Sequence, residues 1–162
     1  MHILFRIINK AIEALLVLIF SLLVIDVVWQ VVSRYLIGQS SSFTEEFARF
    51  ALIWLTVLGA AYINGSKEGH LSMDFLLAKL SPEKQRKRLK VIQVLMALFA
   101  LVVMVIGGGN LMYTVLKLGQ ISPALLVPLG YVYAIVPISG ILIIFFSIYH
   151  LTITLNPNRN EH

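Results

Sequence analysis

Between Lys90 and Lys117 the chain runs without Lys, Arg, Asp or Glu, and after Lys117 it does so again across residues 118–158. A helix that crosses the hydrocarbon of a bilayer needs about 20 consecutive apolar residues. Lipid offers no partner for backbone N–H and C=O groups, so the segment must satisfy them itself. Two further stretches approach spanning length: residues 14–33, interrupted by Asp26, and residues 50–66, between Arg49 and Lys67. The run 118–158 is too long for one span and is punctuated by Pro123, Pro128 and Pro137. Spans are therefore expected near 11–33, 47–65, 90–115 and 130–153. The runs are continuous, whereas barrel strands alternate apolar and polar residues. The fold class that follows is an all-α integral membrane protein: four transmembrane helices plus short interfacial amphipathic helices, forming a single membrane domain over residues 1–162.

Composition agrees. The chain is 59% apolar and 13% charged, against about 45–50% and about 25% in soluble domains. Those values exclude a water-soluble enzyme and a nucleic-acid module. Cysteine is absent, so no disulfide framework, thiolate zinc site or thiol nucleophile is available. No cofactor or metal site is expected.

Basic residues set the orientation. With four spans, both termini and the 66–90 connection share one side. That side carries Arg6, Lys10, Lys67, Lys79, Lys84, Arg86, Lys87, Arg88, Lys90 and Arg159; the other carries Arg34, Arg49 and Lys117. A ten-to-three split predicts cytoplasmic termini and a cytoplasmic middle connection. The first span has the basic flank of a signal peptide, but no small-residue cleavage pattern follows it, so it is expected to stay.

Two segments read as interfacial. Over residues 2–13, His2, Arg6, Asn9, Lys10 and Glu13 follow one helical face, with Ile3, Ile7, Ile8 and Ile12 largely opposite. Met73, Leu76, Leu77 and Leu80 form a second stripe at i, i+3, i+4 and i+7, the pattern of a helix lying in the headgroup layer. Ser81-Pro82-Glu83 is a helix start, with an N-cap serine, a first-turn proline and an acid. The basic run 84–90 that follows is either a topology signal or a lipid headgroup site.

Few polar groups remain to carry chemistry. Asp26 lies inside the first span, where an acid costs about 2.5–3.5 kcal/mol to insert. It is a proton or cation site, a partner contact, or a structural acid held by a hydrogen bond. At the start of the second span, Ser42 and Glu45 have the spacing of a capping box, and Glu45 stands one turn before Arg49 in the favourable pairing order. Glu45, Glu46 and Arg49 thus make either a capped, charge-balanced helix entrance or a surface for a soluble partner. His70 and Asp74 stand four apart. They either form an acid–base pair or fold the inner turn, and no nucleophile or metal motif accompanies them. Gly107-Gly108-Gly109 and Gly59-Ala60-Ala61 are sites for close helix packing or for a hinge. Ser122 and Pro123 break the chain between the third and fourth spans.

In order along the chain stand Thr44-Glu45-Glu46 with Arg49, Gly59-Ala60-Ala61, Gly69-His70-x-x-x-Asp74, and Ser122-Pro123-Ala124-Leu125 with Pro128. This set resembles the small membrane subunit (DctQ-type) of tripartite ATP-independent periplasmic (TRAP) transporters. Phe43 stands where the family often has Trp before the acids, and Leu71 and Met73 replace its usual branched residues. The resemblance implies a subunit of the bacterial inner membrane, not an enzyme. Its partners would be a large membrane subunit that carries the substrate and sodium sites and a periplasmic binding protein that delivers an organic acid of the sialic acid or C4-dicarboxylate type. Membrane lipids would surround it, and no nucleic acid is involved. The rival reading is a self-sufficient four-helix homodimeric transporter using Asp26. A membrane enzyme built on His70 and Asp74 lacks a nucleophile and a metal cluster.

Overall fold

The computed structural model describes residues 2–38, 41–66 and 82–155. His70, Asp74 and the amphipathic stripe 73–80 lie outside the described residues. Among the described residues, four helices are long and apolar enough to cross a membrane: Ile3–Leu36, Ser42–Gly65, Lys87–Lys117 and Leu129–Thr152.

Helix α1 runs unbroken over His2–Ile37, 36 residues. The amphipathic stretch 2–13 and the first span are thus one rod. No glycine or proline occurs before Gly38, so nothing in the backbone ends a helix there. At about 1.5 Å per residue the rod is about 54 Å long, well beyond the roughly 30 Å hydrocarbon layer. Gly38, at φ +75°, ends it in the left-handed conformation that glycine adopts without a Cβ penalty.

Helix α2 is Ser42–Gly65. Ser41 is its N-cap and makes no side-chain capping bond, so the helix begins one residue before the place a Ser42–Glu45 capping box requires. Ala51, Leu58, Ala61 and Gly65 are buried along it, a row at helical spacing.

The third span is one rod with three windings: α3 (Pro82–Phe99), a π-helical segment (Ala100–Gly107) and α4 (Gly108–Lys117). The wider turn of the π segment lies where α6 (Ile135–Leu155) crosses it. A Cβ on Gly140 of α6 would stand 2.8 Å from Met104 Cβ and 3.2 Å from the Ala100 carbonyl oxygen. Of the glycine triplet, Gly108 packs against Val136, at 2.7 Å from a built Cβ, while Gly109 faces open space.

The fourth span is α5 (Leu129–Tyr133) followed by α6. Pro137 explains the break at Ala134. It has no N–H, and its ring clashes with the carbonyl four residues earlier, which belongs to Tyr133.

The helices follow one another in space as α1, α2, α6 and then the α3–π rod, with α4 against α5. The fourth span is the most enclosed, with 39% of its most apolar window buried against 11% for the first and third. The core is its contact with α2 and the π segment, through Ala61, Ala100, Ile143 and the fully buried Phe146. Phe5 of α1 closes one end of the bundle, stacked on Tyr149 at 4.2 Å and edge-on to Phe146 at 5.5 Å.

Candidate functional site

The short connection between α1 and α2 places the first turn of α2 at the same end of the bundle as the turn between α4 and α5. Successive helical residues are about 100° apart around the axis, so Glu45 and Glu46 face different surroundings. Glu45 is exposed. Glu46 is 8% exposed, and its carboxylate reaches the α4–α5 turn.

There one oxygen, Oε2, accepts the backbone N–H of Ala124 and that of Leu125, each at 2.8 Å. The Ser122 hydroxyl donates to the same carboxylate and accepts a second, longer bond from Leu125 N–H at 3.3 Å. Ser122 is fully buried. Pro123 sits between these donors and has no N–H of its own, so the turn presents no donor that the carboxylate fails to reach at that position. Thr44 steadies the approach: its hydroxyl donates to the Ser41 carbonyl at 2.8 Å.

A cleft of about 240 Å³ opens beside this contact, lined by Ser42, Glu45, Glu46, Arg49, Pro123 and Ala124. Arg49 and Glu45 are exposed on it. The structure therefore brings together five residues singled out from sequence, Glu45, Glu46, Arg49, Ser122 and Pro123, from stretches nearly 80 positions apart. Glu45 and Arg49 line the cleft with one acid and one base, while the second acid, Glu46, holds the turn.

Asp26 stands elsewhere. It is half-buried on α1, and its Oδ2 accepts the Gln30 side-chain amide at 2.7 Å. From residue 12 onward, Ile12, Leu16, Ile19, Leu23, Asp26, Gln30 and Ser33 recur every three or four residues and are the less exposed positions of the helix. Asp26 thus lies on the inward stripe, with its hydrogen-bond partner one turn along. Among the described residues there is no group of three His, Cys, Asp or Glu side chains able to hold a metal ion.

Two polar side chains matter that sequence reasoning passed over. The Trp54 indole N–H donates to the Val132 carbonyl at 3.1 Å. The Asn64 amide donates to the Ile143 carbonyl and the Ser147 hydroxyl, both at 3.1 Å. Both tie α2 to the fourth span. The signal was present for Asn64, because a carboxamide within an apolar run needs an interhelical partner.

The sequence profile of the family described as tripartite ATP-independent periplasmic transporters, DctQ component, matches residues 23–155. The chain is 35% identical over 148 residues to a Haemophilus influenzae protein assigned as a TRAP transporter small permease, covering 91% of this chain and 89% of that one. A second Haemophilus influenzae protein with the same assignment is 26% identical over 143 residues, covering 88% and 84%. The Vibrio cholerae sialic acid TRAP transporter small permease protein SiaQ is 31% identical over 102 residues, covering 61% of this chain and 58% of that one.

Proposed function

The chain belongs to the DctQ component family of tripartite ATP-independent periplasmic transporters and is a small permease subunit, and on that premise we propose that it works as a fixed scaffold for a large sodium-coupled membrane subunit. That larger partner would carry the substrate and sodium sites and move. A periplasmic binding protein would deliver the solute, an organic acid of the sialic acid or C4-dicarboxylate type. This chain would neither transport the solute alone nor catalyse a reaction.

The observation that carries the scaffold reading is how the bundle uses its polar groups. Glu46, Trp54 and Asn64 each bond to the backbone of another element, and Asp26 is engaged by Gln30. A carrier of this kind uses broken helices in facing repeats to hold its ions; here Glu46, Trp54 and Asn64 join one element to another. The first and third spans, with 11% of their most apolar windows buried, offer wide apolar faces to lipid and to a larger subunit.

In this reading the protein lies in the inner membrane with both termini cytoplasmic, as the ten-to-three distribution of basic residues favours. The cleft with Glu45 and Arg49 then faces the periplasm, where it adds charged docking surface for the binding protein. His70 and Asp74 belong to the cytoplasmic connection. Removing this chain while keeping the large subunit and the binding protein is expected to abolish uptake of the organic acid by whole cells or proteoliposomes. Undiminished uptake overturns the scaffold role.

A further inference from the structure

The α4–α5 turn combines three properties that water does not call for. Most of its backbone donors are bonded inside the chain, those of Ile121 and Val127 excepted. Gln120 N–H donates to the Val115 carbonyl at 3.3 Å, Ser122 N–H to Val127 at 2.9 Å, Leu126 N–H to Ser122 at 3.1 Å and Leu129 N–H to Gln120 at 3.0 Å. Those of Ala124 and Leu125 go to Glu46, brought in from α2. At positions 123 and 128 proline removes the donor altogether.

Its outward side chains are apolar. Leu118, Ile121 and Leu126 are 66%, 57% and 74% exposed, and no Lys, Arg, Asp or Glu occurs between Lys117 and Arg159. Next to them a groove of about 270 Å³ is walled by Leu22, Phe47, Phe50, Trp54, Val127 and Tyr131. The apolar surface therefore continues from the turn onto the helices. Tyr113 and Tyr131, both well exposed, are the residue type that gathers at membrane–water boundaries.

Leu126 has φ +54°. A residue with a Cβ pays for that conformation, and glycine takes it freely. Turns in water favour Gly, Asn or Asp at such positions. A leucine that strains the turn and leaves its side chain outside the fold is placed for something beyond this chain.

We propose that the 118–128 turn is embedded in the bilayer boundary at its end of the bundle, with Leu126 as an apolar anchor among lipid chains. Irregular backbone at that depth persists where protein groups satisfy it, and the Glu46 carboxylate supplies the acceptor that regular helix geometry lacks there. Lys117 and Gln120, the exposed polar side chains of the turn, reach from its edge toward headgroups. A docking site for a soluble protein would carry a polar rim around its apolar centre. Here the neighbours Leu118 and Ile121 are apolar as well, and the charged Glu45 and Arg49 border the turn at Pro123 and Ala124, where the boundary gives way to water.

The chain contains no cysteine, so Leu126→Cys can carry a single nitroxide label. The full chain is reconstituted in vesicles rich in phosphatidylethanolamine with some phosphatidylglycerol, and collision rates with oxygen and with a water-soluble nickel chelate are measured. The expected result is an oxygen rate several-fold above the nickel rate, moving toward nickel when Glu46→Ala is added. A nickel-dominated label places the turn in water and overturns the proposal. A label shielded from both reagents also overturns it and assigns Leu126 to a protein contact. Ile121→Cys gives the same three-way reading if Leu126→Cys does not fold.

Discussion

The two ends of the bundle are held in different ways. At one end, Phe5 stacks on Tyr149 and meets Phe146 edge-on, and Asn64 bridges α2 to α6 through a neutral amide. Every residue in those contacts lies in a helix. At the other end the chain leaves helical geometry between Lys117 and Leu129, and a buried carboxylate takes two backbone donors. The proposed embedding of that turn in the bilayer boundary accounts for the difference. Regular helices in lipid need only packing and an occasional weak polar bond, whereas irregular backbone sheltered from water needs a strong acceptor supplied from elsewhere.

The comparison breaks most easily at Glu46. Replacing it with alanine leaves the Ala124 N–H without its acceptor, while Leu125 keeps only the longer bond to Ser122. A buried donor left unmatched costs more than the bond itself was worth. Glu46→Ala is expected to lower the unfolding temperature in detergent micelles by about 5–10 °C, as followed by intrinsic fluorescence. Glu46→Gln keeps an acceptor oxygen but loses the charge, so its drop is expected to be about half as large. Equal stability of both variants and the parent would show that the turn does not depend on the carboxylate.

Asn64→Leu sharpens the contrast at the opposite end. Its amide serves the Ile143 carbonyl and the Ser147 hydroxyl, and these two lie four residues apart on one helix. Without Asn64, the serine can bond back to that carbonyl within its own helix, so no donor is stranded. The expected loss is about 0.6 kcal/mol, the typical value for an interhelical bond in lipid, or roughly 2 °C in the same unfolding measurement. A loss as large as that of Glu46→Ala would erase the proposed difference between the ends.

The helices were readable because lipid imposes long charge-free runs, and the residues that break those runs, Gly38, Pro123 and Pro137, act as local chemistry says they should. The composition change near residue 13 was readable too, but it marks a change of surroundings along one continuous backbone and not a new element. The π segment left no trace in Ala100–Gly107; its close partner is Gly140, from a helix more than 30 positions away in the chain. The carboxylate clasp was hidden for a related reason. Glu45 and Glu46 look equivalent in sequence, and only the rotation of α2 against the turn decides which one is buried. That rotation depends on packing between residues nearly 80 positions apart.

The smallest expected effect has the opposite sign. Leu126→Gly relieves a left-handed backbone that costs a residue with a Cβ about 1–2 kcal/mol, and the added freedom of the unfolded chain returns about 0.4–1 kcal/mol of that gain. The side chain is 74% exposed, so little packing within this chain is lost with it. In detergent, the variant is expected to be as stable as the parent or about 1–2 °C more stable. In vesicles, where the leucine would have lipid to bury itself in, the advantage is expected to shrink or reverse, because removing an apolar anchor costs about 25 cal/mol for each Å² it had covered. Measuring the same pair of proteins in both media separates strain within the turn from its embedding in lipid. A gain of equal size in micelles and vesicles of matched temperature would mean that lipid gives Leu126 nothing that detergent does not.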